Sequence, residues 1–148
     1  MAKVHAYLNF DGNCAEAFSF YEKVFKTENL GIHRYGDMPS EPGDPELPEG
    51  TGDLVMHTAI NINDDTMLMG SDIIEQFSEL PTEGTRSYIM LDTDSADEAK
   101  ELYGSLSENA KKIEMELAES FFAEQFASFI DQFGVCWMII YEGDKRMA

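Results

Sequence analysis

The chain has 148 residues, 43% of them apolar, enough for one domain with a substantial core. Against 10 Lys plus Arg stand 29 Asp plus Glu, a net charge of −19; such a balance repels phosphate backbones and anionic head groups and excludes nucleic acid and membrane surfaces from the expected partners. No apolar run nears the roughly 20 residues that span a bilayer, and Met1 to His5 lacks a signal-peptide core, so a cytoplasmic protein is expected. Cys14 and Cys136 form neither a disulfide framework nor a C-x-x-C spacing and read as free thiols.

In chain order, residues 4–10 alternate, with Val4, Ala6, Leu8 and Phe10 on one face of a strand and His5, Tyr7 and Asn9 on the other. Asp11-Gly12 turns the chain, and Asn13 with Glu16 reads as a capping box in which each side chain satisfies a free backbone donor of the helix that follows. That helix carries Cys14, Ala17, Phe18, Tyr21 and Phe25 on one stripe, which predicts packing on a sheet. A second strand is predicted over 30–35. Residues 36–53 then hold four of the five prolines among six acidic residues and no basic one, a loop long enough to be a functional lid or a mobile segment. Strands over 54–62 and 66–71 follow, joined by Asn63-Asp64-Asp65.

After a connector with Pro81 and Gly84 the pattern returns. Residues 87–93 read as a strand, Ser95 with Glu98 as an S-x-x-E capping box, and the next helix aligns Ser95, Ala99, Leu102, Tyr103 and Leu106 and ends near Asn109. Strands are predicted over 112–117 and 124–130. Asp131 to Gly134 then turns into the run Val135 to Tyr141, whose length and β-branched and aromatic content favour a buried strand. The helix starts Asn13 and Ser95 lie 82 residues apart, and the strand faces match at 83. The chain therefore reads as two copies of a strand, helix, three-strand unit, a module whose single sheet cannot bury both faces alone.

Several stretches carry a resemblance. They are Tyr7-Leu8-Asn9-Phe10-Asp11-Gly12-Asn13-Cys14, Tyr35-Gly36-Asp37-Met38-Pro39, His57 within Val55-Met56-His57-Thr58, Lys112-Ile113-Glu114-Met115, and Phe133-Gly134-Val135-Cys136-Trp137-Met138-Ile139. In this order the chain resembles the PhnB-like branch of the vicinal oxygen chelate superfamily, which includes glyoxalase I, the bleomycin resistance proteins and extradiol dioxygenases. The resemblance implies an α+β fold of two βαβββ modules forming an incomplete barrel around a small-molecule cavity, with homodimers common. The modules fall at about 1–72 and 86–144, with a connector at about 73–85, in a single glyoxalase-like domain spanning 1–148. The superfamily's metal ligands would come from the first and last strands of each module, and those positions here hold His5, Met69, Tyr88 and Met138. Only His5 is a good donor for a divalent metal, so neither a metal nor another cofactor is expected. A methyltransferase label attached to similar sequences finds no Gly-rich cofactor loop after a strand.

The expected function is a small-molecule cavity protein of unknown substrate, and two readings stand side by side. An enzyme would draw its general base and electrophilic stabiliser from His57, His5 and Tyr88, with Tyr7, Met69, Met90 and Met138 lining the cavity; the alternative is a dimer that sequesters a drug or metabolite without chemistry, as the bleomycin resistance proteins do. The histidines either converge on one cavity or are ordinary half-buried, hydrogen-bonded groups. The methionines line an adaptable pocket or fill core. Trp137 reads as core, Cys14 as buried, and Glu114 and Glu116, on one strand face, as solvated carboxylates.

Overall fold

Alternation sets the first strand, β1 (Ala6–Phe10), in which Tyr7 and Asn9 are exposed while Phe10 is buried. In the computed structural model, which describes residues 1–146, the chain divides into two compact units, Met1–Thr82 and the stretch from Glu83 onward. Unit one continues with α1 (Cys14–Phe25), β2 (Asn29–Arg34), β3 (Val55–Asn61) and β4 (Met67–Asp72). Its sheet has the order β1-β4-β3-β2, with β1 parallel to β4 and the other neighbours antiparallel. Unit two repeats this with β5 (Ile89–Asp92), α2 (Ala96–Leu106), β6 (Lys112–Ala118), β7 (Gln125–Ile130) and β8 (Cys136–Tyr141), in the order β5-β8-β7-β6. The duplication read from sequence is thus a duplication of topology, and the fold is α+β with two open four-stranded sheets.

Each helix covers one face of its own sheet. Cys14, Ala17, Phe18, Tyr21 and Val24 are buried along α1, so Val24 completes the stripe while Phe25 is only half-buried. Phe18 lies so close to Gly70 that a Cβ there would stand 2.6 Å from Phe18 Cε2 and 3.0 Å from the Leu8 carbonyl oxygen. In unit two, α2 buries Ala99 and Leu106, and Tyr103 meets Phe129 edge-on at 5.7 Å. Both cysteines are free and buried.

The two helix starts differ from one another. Ser95 caps α2 as expected: its Oγ accepts from the Glu98 amide at 3.1 Å, and Glu98 Oε1 reaches back to the Asp94 amide at 2.9 Å. Asn13 makes no side-chain cap on α1. The buried Asp72 at the end of β4 replaces it, Oδ1 accepting from the Cys14 amide at 3.0 Å and Oδ2 from the Val55 amide at 2.9 Å. A carboxylate at a helix N-terminus also complements the macrodipole, so a residue 58 positions away performs the capping that local spacing assigned to Asn13.

Three further details position the site. The turn before β8 is built on Asp131, fully buried, whose Oδ1 accepts from the amides of Phe133 and Val135 while Oδ2 accepts from Trp137 Nε1 at 2.8 Å. Trp137 is accordingly core. The acidic loop is tied at its base: the amides of Tyr35 and Gly36 donate to the carbonyls of Leu54 and Gly52. The expected connector is divided between the units, since Ile74 is buried beyond β4 and its neighbour Ile73 donates to the Phe10 carbonyl, whereas Glu83 pairs with Lys111 and Gly84 accepts from Cys136 Sγ.

Candidate functional site

In unit one, strand register fixes what lies on the sheet face turned away from α1. Tyr7 pairs with Met69, Met69 with Ala59, and His57 with His33; since alternate residues share a face, Tyr7, Met69, Ala59, His57 and His33 line one surface. Tyr7 extends from β1 over β4 to β3, where its hydroxyl oxygen lies 3.3 Å from His57 Nδ1 and the rings stack with centroids 5.7 Å apart. His5 stands one residue before β1 and its Nδ1 accepts from the Met67 amide at 2.9 Å. That nitrogen is committed to the backbone, leaving only Nε2 to face anything else. Sequence reasoning gave His33 no role, though it stands directly across from His57.

In unit two the corresponding face carries Met90, Met138, Ser128 and Phe126, again by register. Met138 packs against the cluster of Ala123, Phe126 and Ile140, with Phe122 beside it. Across this face runs a polar strap. Tyr88, one residue before β5, donates its hydroxyl to Glu114 on β6, 2.8 Å from each carboxylate oxygen, and Ser128 on β7 donates to Oε1 at 3.0 Å. Strands β5 and β6 are the two edges of the sheet, roughly 14 Å apart if it were flat, at about 4.8 Å per strand. The Tyr88 and Glu114 side chains therefore extend towards each other over β8 and β7.

Glu114 is the residue that sequence reasoning misjudged, by reading it as solvated alongside Glu116. Irregular register between Ile113 and Met115, and again between Met115 and Ala118, breaks the alternation of β6. Glu114 and Leu117 become the half-buried positions while Glu116 stays exposed. Recurrence of a hydroxyl donor at Tyr88 and Ser128 was visible in the sequence, but nothing local linked either to Glu114.

Electrostatics follow from these contacts. Tyr88 is pushed up to about 12, first by its hydrogen bond to Glu114, then by desolvation and the negative charge of that carboxylate. It is a neutral donor at every physiological pH. Cys14 is also pushed up to about 12, by burial and then by Asp72, so it remains a thiol despite its place in the first turn of α1. Burial raises Cys136 in the same direction, with Glu114 and Asp131 adding to it.

The residues at the superfamily's metal positions do not fit a divalent ion. His5 has one nitrogen taken by the backbone, Tyr88 is held as a neutral phenol by Glu114, and Met69 and Met138 offer thioethers, soft donors that hard and borderline divalent ions disfavour. Among the described residues no three of His, Cys, Asp and Glu stand close enough to hold a metal. Nor is any described helix long and apolar enough to cross a membrane.

Comparison with known proteins agrees with this architecture. The family model described as 3-demethylubiquinone-9 3-methyltransferase matches residues 2–140. Protein YjdN of Escherichia coli is 34% identical over 137 residues, 90% of each chain. The crystal structure of protein PA1353 from Pseudomonas aeruginosa is 32% identical with a TM-score of 0.82, over 97% of this chain and 100% of that one. The PhnB protein from Bacillus cereus shares the fold at 22% identity and a TM-score of 0.73, over 95% and 99%. So does a glyoxalase/bleomycin resistance protein/dioxygenase family enzyme from Burkholderia phytofirmans, at 14% identity and 0.61, over 96% and 100%. The chain belongs to the family described as 3-demethylubiquinone-9 3-methyltransferase, as a PhnB-like protein with the fold of the glyoxalase/bleomycin resistance/dioxygenase superfamily.

Proposed function

We propose that this chain is a metal-independent small-molecule-binding protein in which each unit offers a methionine-bearing open sheet face, where a ligand is oriented by that unit's own tyrosine. The observation that carries this is the composition of those faces: Met69, Met90 and Met138, none fully buried, beside the Tyr7–His57 contact and the Tyr88 strap. Unbranched thioether side chains adapt to flat or partly apolar ligands, and a few fixed polar tips give orientation. If chemistry follows binding, His57 is the base on the face of unit one, with Tyr7 against its Nδ1, while Tyr88, whose hydroxyl hydrogen goes to Glu114, orients that carboxylate on unit two. His5 then serves as a positioning residue that fixes the start of β4.

The family description names methyl transfer to a demethylubiquinone. The site offers that reaction little: the turn between β1 and α1 holds a single glycine, Gly12, and the first amide of α1 is already bound by Asp72, so the usual phosphate- or nucleotide-binding use of a helix N-terminus is blocked there. A homodimer is supported by the exposed Leu30 and Ile32 on edge strand β2 and Ile113 and Met115 on edge strand β6, and sedimentation velocity checks it.

The test of binding is NMR of protein carrying carbon-13 methionine methyls, kept in chelator, against a library of small aromatic fragments. The expected result is saturable shifts confined to Met69, Met90 and Met138. Fragments that shift none of the three, or that do so only after metal is added, would overturn the reading.

A further inference from the structure

The strap on unit two has an imbalance that points to the class of ligand. A carboxylate offers about four lone-pair positions. Glu114 receives two hydrogens, one from the Tyr88 hydroxyl, equidistant from both oxygens, and one from Ser128. Among the described residues no Lys, Arg or backbone amide donates to it. Its negative charge is therefore half-buried against Ser128, on the face that carries Met138 and Phe126, with hydroxyl dipoles aimed at it and, among the described residues, no ion-pair partner. Such a group costs free energy unless something completes it. Two hydroxyls from separate strands fix its direction without neutralising it.

We propose that Glu114, oriented by Tyr88 and Ser128, is the anchor for a protonated amine on the ligand, whose apolar body lies on Met90 and Met138. This rests on the small-molecule-binding reading above and narrows it to cationic, partly apolar molecules. A charge-assisted bond from an ammonium to a fixed, partly desolvated carboxylate is stronger than the same bond in water. The overall charge of −19 would draw such ligands from a distance. Metal ions are not served by the site, because a single carboxylate with two hydroxyl groups already donating to it supplies too few ligands.

The experiment compares 2-phenylethylammonium with its neutral isostere 2-phenylethanol, each titrated into metal-free protein with the Met90 and Met138 methyl signals as readout. On the wild-type chain the ammonium is expected to bind about tenfold more tightly than the alcohol. In Glu114→Gln, which keeps a partner for Tyr88 but removes the charge, the preference should vanish while the alcohol still shifts both methyls. Ser128→Ala should reduce the preference without abolishing it. Equal affinities on the wild type would overturn the amine anchor and leave the binding reading intact. A preference that survives Glu114→Gln would also overturn it, by placing the cation elsewhere on the acidic surface. Should neither probe shift Met90 or Met138 in any variant, the amine anchor and the binding reading would fall together.

Discussion

Both modules reach a tyrosine from the start of the first strand across the open face of the sheet, yet the two reaches end on different chemistry. Tyr7 crosses one strand to meet an imidazole, His57, at 3.3 Å. Tyr88, which stands two positions earlier in the repeat, reaches inward from one sheet edge and meets a carboxylate that reaches back from the other, Glu114, at 2.8 Å. The helix starts diverge in the same way, one held by a distant buried Asp72 and the other by the adjacent Ser95. The lesson is that strand order and the apolar faces persisted through duplication because packing demands them, whereas each polar contact was free to change as long as its own donors and acceptors were satisfied.

The caps give the sharpest way to test that difference. Asp72→Ala removes both acceptors of two buried amides and should destabilise the chain by roughly 3 kcal/mol or more, from about 1–3 kcal/mol for each amide left unpaired. Ser95→Ala, on a solvated cap, should cost about 1 kcal/mol. Urea unfolding of the two variants measures the gap, and equal losses would mean that Asp72 is not the effective cap of α1. Next in size is Gly70→Ala, where the new Cβ would stand 2.6 Å from Phe18. Overpacking of this kind costs roughly 1–3 kcal/mol, and a second substitution, Phe18→Leu, should recover part of it in the same unfolding assay.

The smallest expected effect is a titration. Tyr88 has a folded value of about 12, above the ordinary value of 10. A raised value means that its contribution to stability is fully present below about pH 10 and is lost as pH rises through about 12. Phenolate absorbance should show Tyr88 ionising late, alongside Tyr35, which burial also raises, and Glu114→Gln should bring the Tyr88 step earlier, since that carboxylate is the main cause of its shift. An unchanged late step in the variant would break the contrast between the two straps.

Much of the fold was legible in the residues themselves. Alternation in Ala6 to Phe10, the stripe from Cys14 through Tyr21, the box Ser95 to Glu98 and the turn into Val135 to Tyr141 are local patterns, because side-chain period and cap chemistry act over a few residues. They identified both helices and the eight described strands, with strand boundaries off by at most two residues, while α2 ends at Leu106, short of the expected Asn109. Alternation also put Tyr7 and Asn9 on one face of the first strand, but not which strands that face would meet.

What the sequence could not decide is everything that depends on which strands become neighbours and where their register slips. Asn13 had the correct spacing for a cap but lost the position to Asp72, whose carboxylate, fixed by the β4 backbone, satisfies the Cys14 and Val55 amides at once. Glu114 left the solvated face of β6 because the strand is irregular where it pairs with β7. Its partners, 26 and 14 residues away, were brought to it only by the closing of the sheet. Local free energies of a fraction of a kcal/mol to about 1 kcal/mol per residue set the elements; the polar contacts of the site are long-range, each contingent on backbone already placed, and so belong to the tertiary structure alone.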